Sequence, residues 1–398
     1  MDIHHPLALL AGLSPAQFMR RHWQKKPLLV RGAIPGFTPL LSRAELSRLA
    51  AQDDVESRLI VKSGDGLGES WRMKSGPFAA RSLPPMKRPG WTLLVQGVDG
   101  HDLQVHRLLQ QFRFVPDARL DDLMISLAST GGGVGPHFDS YDVFLLQASG
   151  RRRWKISQQK DLTLQPDVQL KILQNFEPEE EFVLDAGDML YLPPRYAHDG
   201  TADAMLGVDG KNIDCMTYSI GFKAPSQADL AGSLLHKLAE FSEDEHADLP
   251  ADRSPVMYRD RAQAATATPA QLPDALVNFA SAALTRALTR PLAVACAVGE
   301  IMTAPKARIW FDEPATPLGK KAGQALVLDT QTRMMYDDHH VFINGESYRA
   351  AGADAALMRA LADNRLLSTK ELAKASAGAA SLLADWHAAG WIHLEEPS

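Results

Sequence analysis

Apolar and polar positions change rhythm along the chain. Between residues 57 and 222 the apolar residues come in short runs closed by glycine, proline or aspartate. They are Arg58-Leu-Ile-Val, Trp91-Thr-Leu-Leu-Val-Gln, Asp122-Leu-Met-Ile-Ser-Leu, Val143-Phe-Leu-Leu-Gln, Arg153-Trp-Lys-Ile, Glu181-Phe-Val-Leu, Asp188-Met-Leu-Tyr-Leu and Cys215-Met-Thr-Tyr-Ser-Ile-Gly-Phe222. Many short strands divided by turn residues predict a mainly β domain, a double-stranded β-helix or jelly roll. Ahead of it, Ser14 before Pro15 and the Ser42-Arg-Ala-Glu45 spacing predict two capped helices flanking the strand Pro27-Leu-Leu-Val.

After Pro225 the pattern becomes helical. Ala228-Asp-Leu-Ala-Gly-Ser-Leu-Leu-His-Lys-Leu-Ala and Leu276-Val-Asn-Phe-Ala-Ser-Ala-Ala-Leu are alanine- and leucine-rich, with an acidic, proline-bounded linker from Glu243 to Pro255 between them. A helical pair of this kind predicts a dimerisation element, and a twofold homodimer is the commonest oligomer. From residue 307 strands return at Ala325-Leu-Val-Leu and His340-Val-Phe-Ile-Asn-Gly. Helices at Asp354, Thr369 and Ala379 and a closing Trp391-Ile-His-Leu follow. That order is winged-helix-like. The expected division is a catalytic domain over 1–225, a helical region over 226–306 and a winged-helix-like domain over 307–398.

Composition narrows the classes. The chain has 398 residues, 45% hydrophobic and 23% charged, with a net charge of −6. There is no overall basic field for nucleic acid. The segment Ala375-Ser-Ala-Gly-Ala-Ala-Ser-Leu-Leu, where a winged helix would read DNA, is uncharged, so no direct DNA binding is expected. Two cysteines, Cys215 and Cys296, without paired spacing argue against a disulfide framework. With no secretory signal pattern or membrane-length apolar run, a cytoplasmic location is expected.

The chemistry gathers in one stretch, Gly131-Gly-Gly-Val-Gly-Pro-His137-Phe-Asp139-Ser-Tyr141-Asp-Val-Phe. In extended backbone His137 and Asp139 project to the same side. One imidazole and one carboxylate make two thirds of a 2-His-1-carboxylate iron site. The third ligand expected is His198, after the apolar run Asp188-Met-Leu-Tyr-Leu and two prolines, as a strand ending at a barrel mouth would read. Three ligands leave positions for a bidentate 2-oxo acid and dioxygen. The distant carboxylate of 2-oxoglutarate then needs a cation. Parity separates Arg152 from Arg151 and Arg153, without saying which faces inward. Asp142 falls on the face opposite Asp139.

These motifs, with Gly150-Arg-Arg152-Arg-Trp and the entry segment His22-Trp-Gln-Lys-Lys-Pro-Leu-Leu-Val-Arg-Gly32, resemble the JmjC iron and 2-oxoglutarate oxygenases. The likeness is narrower to the bacterial ribosomal oxygenases, which hydroxylate an arginine of a large-subunit ribosomal protein. The resemblance covers roughly residues 15–225 at motif level. It implies a jelly-roll/cupin fold, Fe(II) at His137, Asp139 and His198, and 2-oxoglutarate and O2 as co-substrates with succinate and carbon dioxide as products. The thirteen-residue gap from Asp139 assigns Arg152 to the distant carboxylate. It also implies an arginine pocket at Asp122, Met124, Tyr141 and Ser219, where an acid, a thioether and a ring suit a guanidinium. An apparent insertion over Ala202 to Asp214 blurs the register of Ser219. Hydroxylation of histidine, demethylation of lysine, and a non-oxygenase cupin metal protein are the alternatives.

Overall fold

Ser14 and Ser42 cap helices as their spacing predicts, each hydroxyl accepting the backbone N–H three residues on, and both capping boxes are closed, by Gln17 and Glu45. In the computed structural model the chain divides into two compact units, Met1–Ala224 and Pro225–Ser398. All residues are described except 1, 65–69, 208–209, 211, 248–255, 315–317, 319–323 and 396–398, together with the side chains of 243–247. The glycines and aspartate of Gly64-Asp-Gly-Leu-Gly68 predict a turn; its residues after Gly64 and the end of the acidic linker lie outside the described residues.

The first unit runs α1 (Pro15–Arg21), β1 (Leu28–Val30), α2 (Arg43–Leu49), β2 (Ser57–Ser63), β3 (Ser70–Ser75), β4 (Trp91–Val95), α3 (Leu103–Gln110) and β5 (Leu120–Ala128). It continues with β6 (Val143–Ser149), β7 (Arg151–Ser157), β8 (Glu180–Leu184), β9 (Met189–Leu192), β10 (Ala197–Asp203) and β11 (Cys215–Phe222). The strands form an eight-stranded sheet, β1-β9-β6-β11-β5-β4-β2-β3, and a three-stranded sheet, β10-β7-β8. This is the expected jelly roll.

Alternation divides the large sheet cleanly. Leu123, Ile125 and Leu127 of β5, Tyr218, Ile220 and Phe222 of β11, and Phe144 and Leu146 of β6 join a core with Phe18, Leu46 and Phe112 from the helical side. Their neighbours Asp122, Met124, Ser126, Thr217, Ser219 and Gln147 take the other face, toward the small sheet. There Val143, Leu145, Leu190 and Leu192 meet Trp154, Ile156 and Leu184 in a second core. The register pairs Ser219 with Met124. Gly150 turns between β6 and β7 at φ +65°, with the Asp214 carbonyl oxygen 2.9 Å from where a Cβ would stand.

Several elements escape the sequence pattern, strand β3 among them. Helix α3 is capped by Asp102, whose carboxylate accepts from Gln104 and Val105, and it buries Val105, His106, Leu108 and Leu109 on one face, but it is only about two turns long. Strand β10 reads Ala-His-Asp-Gly-Thr-Ala-Asp and carries no apolar run. It is a strand because all seven residues pair with β7. His198 therefore follows the end of β9 and its two prolines as expected, and it is also the second residue of a further strand, β10.

The second unit has α4 (Gln227–Ala247), α5 (Asp274–Thr289), α6 (Ala293–Thr303), β12 (Leu326–Leu328), β13 (Met334–Tyr336), β14 (His340–Ile343) and β15 (Glu346–Arg349). After these come α7 (Gly352–Asn364), β16 (Leu366–Leu367), α8 (Thr369–Leu372), α9 (Ala377–Ala388) and β17 (Ile392–Leu394). Helices α7 and α9 bury Leu361, Leu383 and Trp386 with Leu326 and Ile392 of the β16-β12-β17 sheet. Helix α6, grouped by composition with the helical pair, lies on the β13-β14-β15 sheet. A Cβ on Gly299 would stand 2.4 Å from the Phe342 ring. Helix α5 buries no residue, and Leu276, Val277, Phe279, Leu284 and Leu288 are exposed.

Candidate active site

His137 and His198 are joined by an isolated antiparallel bridge, with reciprocal N–H to carbonyl bonds of 2.9 and 2.8 Å. The backbone thus sets the two imidazoles beside each other, ring centroids 4.2 Å apart. Each Nδ1 lies against a carbonyl oxygen, that of Gly135 for His137 at 2.8 Å and that of Tyr196 for His198 at 2.9 Å. A carbonyl only accepts, so both Nδ1 atoms carry the proton and both Nε2 atoms are left as acceptors. Asp139 Oδ2 is 3.7 Å from His198 Nε2, and its backbone carbonyl accepts from Arg195 N–H. The three side chains offer one ligand atom each, all within 4.8 Å of one another. Burial, and then the neighbouring His137, push the His198 imidazole down to about 4, so it stays neutral and able to ligate.

The glycine loop owes its composition to close approach. A Cβ on Gly133 would stand 2.5 Å from the Gly200 carbonyl oxygen, and one on Gly135, at φ +79°, 2.7 Å from Ile172.

Arg152 is 3% exposed, on the inward face of β7, while Arg151 pairs with Asp185 and Arg153 with Glu181 and Asp203 on the other face. Its Nε and Nη2 are buried without a hydrogen-bond partner among the described residues. A buried, unsatisfied guanidinium is costly and calls for an anion. The pairing of His198 with Ile156 puts Arg152 four residues further along the same strand, roughly 13 Å away. The Trp154 ring lies between, 5.8 Å from the His198 ring and 5.7 Å from the guanidinium.

The four residues of the expected pocket fall around the same space. Asp122 is buried and accepts from Gln96 Nε2 at 3.0 and 2.9 Å; Met124 and Ser219 are cross-strand partners and half-buried. Tyr141 is 40% exposed; burial first, then the charges of Asp139 and Asp122, push its phenol up. Asp142 is not with them: it is fully buried on the other face, bonded to Tyr191, Gln24 and Arg119.

Sequence reasoning missed Gln96 and Arg58. Arg58 donates to Gln96 Oε1 at 3.0 Å, and Gln96 in turn donates to Asp122. A glutamine before Gly97 gives no signal in the sequence; only the β2-β4-β5 pairing brings the three together.

A family model described as JmjC domain matches residues 107–230, and another described as ROXA-like winged helix matches residues 294–393. The X-ray structure of Escherichia coli YcfD superposes with a TM-score of 0.77 at 30% identity, over 96% of this chain and 98% of that one. The chain belongs to the JmjC ribosomal oxygenases. Another structure of this E. coli ribosomal oxygenase, in complex with cobalt and 2-oxoglutarate, gives a TM-score of 0.76 at 29% identity over 96% and 98% of the chains. Among curated relatives, the E. coli ribosomal protein uL16 3-hydroxylase is 39% identical over 214 residues, 54% of this chain and 53% of that protein. The probable ribosomal oxygenase of Haemophilus influenzae is 32% identical over 221 residues, 55% and 52%. The match spans about half the length of these curated relatives. JmjC ribosomal oxygenases use 2-oxoglutarate and a metal ion, and the residues here fit both: two imidazoles and a carboxylate suit Fe(II), and the unpartnered Arg152 suits a carboxylate.

Proposed function

We propose that this protein is an Fe(II)- and 2-oxoglutarate-dependent hydroxylase of an arginine side chain in a large-subunit ribosomal protein, for which uL16 is the candidate. The observation that carries the reading is Arg152, an enclosed guanidinium with unmet donors one strand-length below three metal-capable side chains.

His137, Asp139 and His198 would hold the iron. Bound iron supplies the activation of dioxygen, coupled to decarboxylation of 2-oxoglutarate to succinate and carbon dioxide. Arg152 grips the distant carboxylate bidentately. Trp154 walls that channel against water. Asp122 receives the substrate cation, and Tyr141, Met124 and Ser219 flank it; a planar guanidinium suits an acid beside a ring and a thioether.

The exposed apolar side of α5 supports a homodimer through that helix. No helix among the described residues is long and apolar enough to cross a membrane, and we read the location as cytoplasmic. Helix α9, Ala-Gly-Ala-Ala-Ser-Leu-Leu-Ala-Asp-Trp-His-Ala, has no lysine or arginine for phosphates, which supports the reading that this helix does not serve as a DNA-reading element.

The test is succinate release with Fe(II), 2-oxoglutarate, dioxygen and uL16 fragments, each product read by mass spectrometry. A single added oxygen on arginine is expected. Oxygen on histidine, or loss of methyl from lysine, would keep the oxygenase and replace the substrate. No peptide-stimulated succinate from iron-loaded protein would overturn the reading.

A further inference from the structure

Several arginines of the first unit meet acids. Arg31 pairs with Asp188, Arg113 with Asp117, Arg119 with Asp142 and Arg151 with Asp185. One segment departs from this. From Ser70 to Val98 there is no aspartate or glutamate, and there are five cations, Arg72, Lys74, Arg81, Lys87 and Arg88. All five are exposed, and none has a side-chain hydrogen bond or an ion pair with a described residue.

The backbone places them on the edge strand and on the connection that follows it. Arg72 and Lys74 sit on β3, the last strand of the large sheet, and alternate with Trp71 and Met73, which turn to the site face beside Lys62 and Ile60. The other three are on the β3–β4 connection. That segment is tied down by Phe78 N–H to the Ala50 carbonyl, Lys62 N–H to the Gly90 carbonyl and Trp91 Nε1 to the Pro85 carbonyl. Lys62 Nζ lies 5.4 Å from the Trp71 ring centre. The same ring abuts Gly135, where a Cβ would stand 3.0 Å from it, two residues before His137. The cationic margin therefore borders the loop that delivers the first metal-capable histidine.

We propose that this margin binds RNA through its phosphates. Like charges gathered on a fixed strand and a tied loop repel one another until a polyanion neutralises them. Arginine and lysine heads with no internal acceptor keep every donor for phosphate oxygens. Trp71, at the turn from this margin to the site, adds an aromatic face of the kind on which bases stack. A ribosomal protein is not the occupant, because a chain that lies on RNA is itself cationic and would be repelled. The ribosome presents that protein and RNA together, so the catalytic mouth and the margin can engage one particle. The choice of RNA as the polyanion rests on the proposed function; the binding does not.

The experiment uses the full chain without iron or 2-oxoglutarate and a labelled oligouridylate of about 16 nucleotides, read by fluorescence anisotropy. The expected result is binding that weakens with salt, with a log–log slope of about −0.7 for each phosphate contacted. The triple variant Arg72→Glu, Lys74→Glu, Lys87→Glu should bind at least tenfold more weakly with a shallower slope, while keeping its melting temperature and its turnover of isolated peptide. Equal binding by parent and variant would overturn the proposal. So would displacement of the RNA by polyglutamate at equal charge, which would point to an acidic protein. Turnover of peptide by the parent is scored separately, so failure of the hydroxylase reading and failure of RNA binding are told apart.

Discussion

The carboxamide nitrogen of Gln96 lies 3.0 and 2.9 Å from the two carboxylate oxygens of Asp122. Arg58 fixes the sense of that amide: a guanidinium only donates, so Oε1 must face it and the NH2 must face Asp122. The acid is thereby aimed, and its aim should show in substrate affinity. Asp122→Asn is expected to raise the KM for an arginine peptide at least tenfold. Gln96→Leu should raise it less, by roughly fivefold, the equivalent of about 1 kcal/mol for one lost hydrogen bond. Turnover of 2-oxoglutarate without peptide should be unmoved in both, and an unchanged peptide KM in Asp122→Asn would sink the pocket assignment.

Arg152 should reveal itself twice. Arg152→Met is expected to raise the KM for 2-oxoglutarate by roughly 10- to 100-fold, the worth of a charge-assisted bidentate contact. The same change removes an unpartnered buried charge, so the ligand-free protein should melt higher than the parent. Melting curves with and without 2-oxoglutarate decide this: the parent gains stability on adding it, and the variant does not.

Asp139→Ala should abolish peptide-coupled turnover and weaken cobalt binding, followed by absorbance titration. Retention of tight cobalt binding would show that the metal sits elsewhere.

Gly200 gives a steric test. A Cβ there would stand 2.5 Å from the Trp154 ring, so Gly200→Ala must displace the indole that lies between His198 and Arg152. A loss of about 1–3 kcal/mol in stability is expected, as for other overpacked cores, together with a higher KM for 2-oxoglutarate. A neutral result would mean that the indole moves freely.

The second unit carries a pH-sensitive pair. His393 Nε2 is 3.1 Å from Asp329, and that hydrogen bond holds the imidazole above its ordinary value. The contribution is full below the unfolded value of about 6.5 and is lost as pH rises through the raised folded value. The pair is partly exposed, so the effect is small. His393→Gln should lower Tm by roughly 1–2 °C at about pH 5.5 and leave it unchanged at about pH 8.5. Equal shifts at both values would assign the loss to packing instead.

What the sequence disclosed follows from where chemistry coincides with pattern. His137 and Asp139 are legible because glycines and an apolar run frame them, Arg152 because the gap that the family resemblance implies decides what parity leaves open, and the strands of the large sheet because their runs are apolar. Strand β10 stayed hidden because pairing with β7, not composition, makes it a strand, and His198 was placed accordingly after one strand and not within another. Gln96 and Arg58 stayed hidden because their partnership exists only across three strands.

One feature reaches beyond the chemistry it serves. His137 and His198 exchange both of their backbone hydrogen bonds, so the spacing of the imidazoles is written into the sheet and not into side-chain rotamers. In small metal-nucleated domains the ion assembles its own ligands, and removing it unfolds the chain. Here the ion would arrive at a finished socket. Stripping with a chelator and refilling should be a cycle that the fold survives, and a change of metal should alter reactivity without altering the protein's shape.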